Sequence, residues 1–189
     1  MKRKIINSTP FGPMVIIWER FNGLPQVVRV LISKPGLSAV AQAAKLFTNL
    51  QTASCREIEA VSRKILSRLR GRDVKISPDI LDFKQCSLFQ CSVLRLVCRI
   101  PRGKVSTYQL VAGNLGKKKA VRAVGSALAK NPFPVILPCH RVIRAGLQPG
   151  GFQGGSYMKQ ALLKEEGIIF GNTGRAACIL PRYIEKQIK

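Results

Sequence analysis

The chain has 189 residues, 46% of them hydrophobic, with 32 Lys and Arg against 9 Asp and Glu, a formal net charge of +23 and a pI near 10.6. That length holds one large domain or two small ones, and the apolar fraction supports a proper core. The charge selects polyanions as partners, nucleic acid before an anionic membrane. The longest uncharged runs, such as residues 5–18, carry prolines and are too short to cross a bilayer.

The chain opens with a basic stretch, Met1-Lys-Arg-Lys-Ile-Ile, and Pro10 and Pro13 interrupt any signal-peptide core, so an intracellular, cytoplasmic protein is expected (nucleoid-associated in a prokaryote, nuclear in a eukaryote). Residues 14–20 and 26–33 are rich in β-branched side chains and flank Phe-Asn-Gly-Leu-Pro, which predicts a β-hairpin with a long turn. Ile58, Val61, Ile65 and Leu69 recur at helical spacing and Gly71 follows as a stop, predicting a helix over 57–70. Residues 71–86 read as a connector with a turn at Ser77-Pro78-Asp79.

From Cys86 the pattern turns helical. Ser87-x-x-Gln90 is a capping box, followed by one apolar face through Phe89, Val93, Leu96, Val97 and Ile100. Ser106-x-x-Gln109 reads as a second capping box before a short helix with Tyr108, Val111, Ala112 and Leu115 on one side. Gly116, three lysines (Lys117 to Lys119) and a third helix over about 120–130 follow. Two short helices joined by a tight turn predict a helix-turn-helix. Val121, Val124 and Leu128 of the second helix point to a core, whereas its other side presents Arg122, Ser126 and Ala129 flanked by Ala123 and Ala127. Small side chains on such a face let a backbone approach a partner closely, although a tight helix–helix contact selects the same residues. Phe133–Leu137 reads as a buried strand or extended segment, residues 146–155 as a glycine-rich loop, and residues 156–166 as a last helix with Gly167 as its stop. The expected fold class is α/β (α+β): a small N-terminal α/β domain over 1–82, a mainly helical, winged-helix-like domain over 83–170, and a basic tail over 171–189.

Between residues 83 and 164 there are fourteen Lys and Arg and no Asp or Glu. A surface of one sign over such a length fits contact with phosphates and release of their counterions. Six cysteines occur without a CxxC, and with a single histidine no four-ligand zinc site is expected.

That histidine, His140, directly follows Cys139. A thiol reacts as its thiolate, and a nearby base makes thiolate available. Adjacent residues rarely face each other, so a water is the natural link between them, and the dipeptide alone also fits a buried cysteine beside a surface histidine. Glu166 adds weight. It falls at the end of the last helix, where an acid opposes the helix dipole at a cost of roughly 0.3–1 kcal/mol. A carboxylate orienting His140 would complete a Cys–water–His–Glu relay.

Pro138-Cys-His-Arg-Val142 resembles the active-site signature of the O6-alkylguanine-DNA alkyltransferases, also called methylated-DNA–protein-cysteine methyltransferases. Residues 100–108 (IPRGKVSTY), 120–125 (AVRAVG), 131–134 (NPFP), 150–155 (GGFQGG) and 162–167 (LLKEEG) are similar to further family blocks in the family order, covering about 87–167. The resemblance implies a single-use repair protein. Cys139 would accept, irreversibly, the alkyl group of O6-methylguanine (or O4-methylthymine) in a flipped-out base, with His140 and Glu166 behind it and no cofactor. It implies that Tyr108 protonates the guanine ring, that Arg122 fills the gap left by the flipped nucleotide, and that Asn131 is the hinge between recognition helix and active-site segment. Thr107, Tyr108, Arg122, Ala123, Ser126 and Ala129 would meet the minor groove of double-stranded DNA. Val142, Gly150, Gly151, Phe152, Gln153 and Gly154 would line the base pocket, with no metal and a monomeric protein. Many family members have Tyr where this chain has Phe152, and the loop 145–149 lacks the expected Asp-Gly turn. A protein that binds alkylated DNA without repairing it, a thiol hydrolase and a plain transcription factor are the alternatives. The first lacks an acceptor cysteine in relatives of that type, the second leaves the charge unexplained, and the third leaves PCHRV unexplained.

Overall fold

The computed structural model describes residues 1–171 and 174–176. Most of the tail expected at 171–189, with Cys178, therefore lies outside the described residues. The chain forms two compact units, Met1–Gln85 with Pro132–Ile136, and Cys86–Asn131 with Leu137 onward.

The first unit is built on a four-stranded sheet of β1 (Lys2–Ile6), β2 (Met14–Phe21), β3 (Leu24–Ile32) and β4 (Gln51–Thr52) in the order β3-β2-β1-β4. Only the β1–β4 pairing is parallel. The basic opening stretch proves to be a strand. Long Lys and Arg stems lie along the sheet while their heads find partners. Lys4 pairs with Glu59 at 2.6 Å, Arg3 donates to Thr52 at 3.1 Å, and Lys2 sits 5.2 Å over the Trp18 ring.

The hairpin forms with a tight turn rather than the long one expected. Asn22 (φ 49°) and Gly23 (φ 78°) are its only two loop residues, both left-handed, as a turn matching the strand twist requires. Leu24 and Pro25 continue the strand. Pro25 is tolerated because β3 is an edge strand, and a register shift at Ile17/Trp18 adjusts the pairing.

Met14 to Trp18 are all buried, on both faces of β2. One face packs Val15, Ile17 and Leu31 against Ala39 and Ala43 of α1 (Ala39–Leu46), a helix not expected from the pattern and capped by Ser38. The helix α2 (Arg56–Leu69) buries Ile58, Val61, Ile65 and Leu69, as its spacing predicts.

Residues 132–136 are buried but are not a strand. Val135 lies at φ 71°, unusual for a β-branched residue, and the segment turns. Its carbonyls are satisfied without a ladder. Arg68 of α2 donates to Val135 O at 2.9 Å, Ile136 O at 2.6 Å and Val74 O at 2.9 Å, and Val30 N donates to Pro132 O.

The second unit carries α3 (Leu88–Cys98), α4 (Tyr108–Asn114), α5 (Val121–Ala129) and α6 (Gly155–Glu165), with a 3-10 turn at Cys139–Arg141. Ser87 caps α3 as expected, accepting from Gln90 N, but the Gln90 side chain leaves the box for α5. At α4 the cap is Thr107 rather than Ser106. Ser106 is buried in a two-residue parallel ladder between β5 (Ser106–Thr107) and β6 (Val142–Ile143), which removes it from the cap position. The helix-turn-helix is α4 and α5. Gly116 (φ 70°) ends α4, with Lys117 N on Ala112 O and Gly116 N on Gly113 O.

The loop at 145–149 lacks Asp-Gly and turns on Leu147 instead, at φ 64°. Its side chain packs against Ile143, Leu163 and Ile168, which offsets the unfavourable backbone.

Arg68→Met leaves three carbonyls without their donor and a strained turn without its brace. A loss of about 2 kcal/mol is expected, measured as a lower urea midpoint at unchanged m-value.

Candidate active site

Cys139 and His140 open the 3-10 turn and are both buried, 5% and 3% exposed, which sets aside the reading of a surface histidine. Cys139 Sγ accepts a hydrogen bond from Asn131 Nδ2 at 3.1 Å, and the same amide reaches Leu137 O at 3.3 Å. Asn131, two residues beyond α5, is thus tied to the turn that carries Cys139.

The ring Nε2 of His140 lies 3.0 Å from Glu166 Oε1. Glu166 is the C-cap of α6, where Gly167 (φ 90°) and the bonds Gly167 N to Lys164 O and Ile168 N to Leu163 O stop the helix. Leu163 and Ile168 join one apolar cluster, which fixes that stop in place. The acid ill placed for the helix dipole is therefore held there by packing, and its side chain turns to two cationic or proton-bearing groups. Glu165, its neighbour, is exposed.

Arg141 is the second partner, absent from the residues singled out by sequence. Its Nε is 2.9 Å from Glu166 Oε2 and its NH2 2.8 Å from Oε1, a two-pronged contact, while NH1 reaches Ile100 O at 2.6 Å. Burial alone would raise the Glu166 carboxyl. The hydrogen bonds from His140 and Arg141 outweigh it and hold the group at about 2. Burial pushes His140 below its ordinary value despite the carboxylate beside it, so the ring is neutral. A carboxylate only accepts, so the proton sits on Nε2 and Nδ1 is left as an acceptor. Nδ1 is buried with no hydrogen-bond partner among the described residues.

Lys159 also escaped the sequence reading. It is wholly buried, and Nζ donates to Val142 O at 2.6 Å and Gly151 O at 3.2 Å, 5.9 Å from the Tyr108 ring centre. Burial lowers its pKa to about 8, against the pull of Cys139. The signal was present in the helix period: α6 buries Met158, Lys159, Leu162 and Leu163, so a lysine occupies a core position. Cys139 itself is pushed up by burial, with Asn131 and the Lys159 charge acting downward. At rest it is a thiol that needs a base.

Tyr108 begins α4 and its pKa is raised, first by burial and then by Cys139. A Cβ at Gly150 would come within 3.4 Å of its hydroxyl and one at Gly125 within 4.0 Å of its ring, so both glycines give the tyrosine room. Phe152 meets the His140 ring edge-on at 6.3 Å. Val142 is buried, Gly151 is exposed, and Gly154 is the uncapped N-terminus of α6. Gln153 reaches away from the thiol, to Ala129 O and Asn131 O. On α5, Arg122, Ala123, Ser126 and Ala129 are all exposed, while Val124, Ala127 and Leu128 are buried. Thr107 is spent on the α4 cap, its Oγ1 accepting from Leu110 N at 3.2 Å. Among the described residues no three His, Cys, Asp or Glu side chains gather as a metal site, and no helix is long and apolar enough to cross a membrane.

Residues 88–168 match the family model described as 6-O-methylguanine DNA methyltransferase, DNA binding domain. The methylated-DNA–protein-cysteine methyltransferase of Methanothermobacter thermautotrophicus is 42% identical over 110 residues, 56% of this chain and 61% of that protein. The protein of the same name from Methanosarcina acetivorans is 39% identical over 112 residues, 59% of this chain and 66% of that one. Among solved structures, Mycobacterium tuberculosis OGT in complex with DNA superposes with a TM-score of 0.69 at 25% identity, covering 94% of this chain and 96% of the other.

Through these matches the chain is similar to the O6-alkylguanine-DNA alkyltransferases, in sequence over residues 88–168 and in fold over most of its length. The matched stretch spans less than two thirds of either archaeal alkyltransferase. The architecture is that of the alkyltransferase fold, an N-terminal α/β domain with a hairpin followed by a mostly helical region with a helix-turn-helix.

The Glu166 carboxyl is depressed from 4.5 to about 2, so its stabilising contribution is complete above pH 4.5 and is lost as pH falls through about 2. The shift corresponds to about 3 kcal/mol. Glu166→Gln is expected to remove that part, lowering stability at neutral pH and flattening the fall in stability between those two pH values, as followed by denaturation at stepped pH.

Proposed function

We propose that this protein repairs alkylated DNA directly, by moving the alkyl group from the O6 of guanine to Cys139 in a single, irreversible event. One observation carries the reading: a buried thiol held by Asn131, next to a neutral histidine oriented by a buried carboxylate. O4-methylthymine presents the same alkyl–oxygen bond and is a further substrate on this reading.

The steps balance. The Cys139 proton passes through a water to Nδ1 of His140, and the imidazolium is stabilised by Glu166. The thiolate attacks the alkyl carbon in line, forming a C–S bond as the C–O6 bond breaks. The electron pair goes to the guanine, and the Tyr108 hydroxyl supplies a proton to the ring, to be restored from the histidine side. Water does not cleave the thioether product, so each molecule acts once and no cofactor enters the balance.

Stacked in a duplex, the alkyl carbon is out of reach of a buried thiol, so the nucleotide must be flipped out. The exposed small-residue face of α5 supports an approach through the minor groove, with Arg122 as the side chain that enters the stack. The acid-free basic stretch supports phosphate contacts around it. Nothing in this chemistry requires a second copy of the chain.

A labelled O6-methylguanine duplex tests the reading. The expected result is one added methyl on the peptide holding Cys139, a burst that stops at one equivalent, and no transfer in Cys139→Ala despite retained DNA binding. Turnover beyond one per molecule, or label on another residue, overturns it. Arg122→Ala is expected to slow duplex repair roughly a hundredfold while leaving reaction with free O6-methylguanine nearly unchanged; an equal loss in both assays contradicts a role in the duplex.

A further inference from the structure

The C-terminal end of α5 is held in an unusual way. The last carbonyls of a helix have no intrahelical donor and are commonly met by water or by cationic side chains. Here two neutral amides take them. Gln90, on α3, donates through Nε2 to Ala127 O at 3.1 Å and Lys130 O at 3.0 Å. Gln153, in the glycine-rich loop, donates through Nε2 to Ala129 O at 3.0 Å and Asn131 O at 2.7 Å.

The two glutamines differ in what they join. Gln90 connects one helix to another. Gln153 connects α5 to the segment between Gly150 and Gly155, which has no ladder partner among the described residues. Gly150 and Gly155 are left-handed at φ 75° and 85°. Among the described residues, side chains pin this segment at two points: Lys159 on Gly151 O, and Gln153 on the α5 terminus. Between them lies Phe152, whose ring meets His140 edge-on. Asn131, one of the two acceptors of Gln153, is also the donor to Cys139 Sγ. The strap therefore sets the spacing between Phe152 on one side and the nucleophile's hydrogen-bond partner on the other.

We propose that Gln153 is a positioning residue that fixes the width of the alkyl-binding space and so sets the size of alkyl group accepted. The proposal rests on the alkyl-transfer reading above and adds to it the residue that limits the substrate. With the strap in place, a methyl group is held in line with the sulfur and a bulky group is hindered. Without it, the loop moves outward on its glycines. A bulky group then enters more readily, while a methyl group is less well oriented.

The experiment compares second-order transfer rates for O6-methylguanine and O6-benzylguanine in the same duplex, for the intact chain and four variants. Gln153→Ala and the isosteric Gln153→Glu, which offers no donor to a carbonyl at neutral pH, are expected to raise the benzyl-to-methyl rate ratio about tenfold, the scale of discrimination that a pocket achieves through a small change in shape. Gln153→Arg keeps a donor and is expected to restore most of the original ratio. Gln90→Ala loosens the same helix end without touching the loop and is expected to leave the ratio unchanged while lowering the melting temperature. An unchanged ratio in Gln153→Ala and Gln153→Glu overturns the proposal with the transfer reading intact. So does an equal change in Gln90→Ala, which would assign the effect to helix stability. Absence of transfer from either substrate to the intact chain overturns the transfer reading and, with it, the proposal.

Discussion

Glu166 between His140 and Arg141 is the constraint on which the rest of the site depends. A carboxylate at a helix C-terminus is unfavourable, and burial makes it more so. It is stable here because a two-pronged guanidinium and an imidazole N–H meet both oxygens. Those contacts select the tautomer of His140, leave Nδ1 free to accept, and hold the 3-10 turn that carries Cys139. Arg141 extends the tie through Ile100 O to the residue that follows the α3 cap. Close approach continues at Gly103, where a Cβ would come 3.1 Å from Glu166 O. The turn that carries Cys139 is thus set by a network whose centre is one acid in a unit with almost none.

The charge environment of the thiol follows from the same economy of acids. Lys159 is buried with no carboxylate partner among the described residues, and desolvation lowers its pKa to about 8. Its two acceptors are backbone carbonyls, Val142 O and Gly151 O. A cation there favours thiolate only when it is charged, while burial keeps the resting thiol protonated.

Much of this was legible before the structure. The helix-turn-helix showed in two apolar stripes separated by Gly116, and the exposed face of α5 showed in Arg122, Ala123, Ser126 and Ala129, because a 3.6-residue period assigns faces without knowledge of partners. Glu166 showed because it broke a local rule. Misreadings fell where a tertiary partner overrode local pattern. Ser106 has the sequence of a cap but is taken by β6, leaving Thr107 to cap. Residues 132–136 have the composition of a strand but turn on Val135, because Arg68 supplies the donors a ladder would have given. The opening basic run and the Ala-rich α1 gave no strand or helix signal of their own, since the sheet they complete is what buries them.

The sequence by itself determined the composition of the site: one histidine, a cysteine beside it, an acid out of place, and a basic helix-turn-helix. These are properties of residue type and spacing, which survive any arrangement of the elements. Only the tertiary structure decided who touches whom. Arg141 became the partner of Glu166, Lys159 entered the core next to Tyr108, Asn131 bonded the sulfur, and Gln153 turned from the base pocket to the end of α5. The hydrogen bonds these flexible polar side chains make span 8 to 25 positions in the chain. No period or propensity encodes such a contact; it exists because packing excludes water there and each buried donor must find its acceptors within the protein.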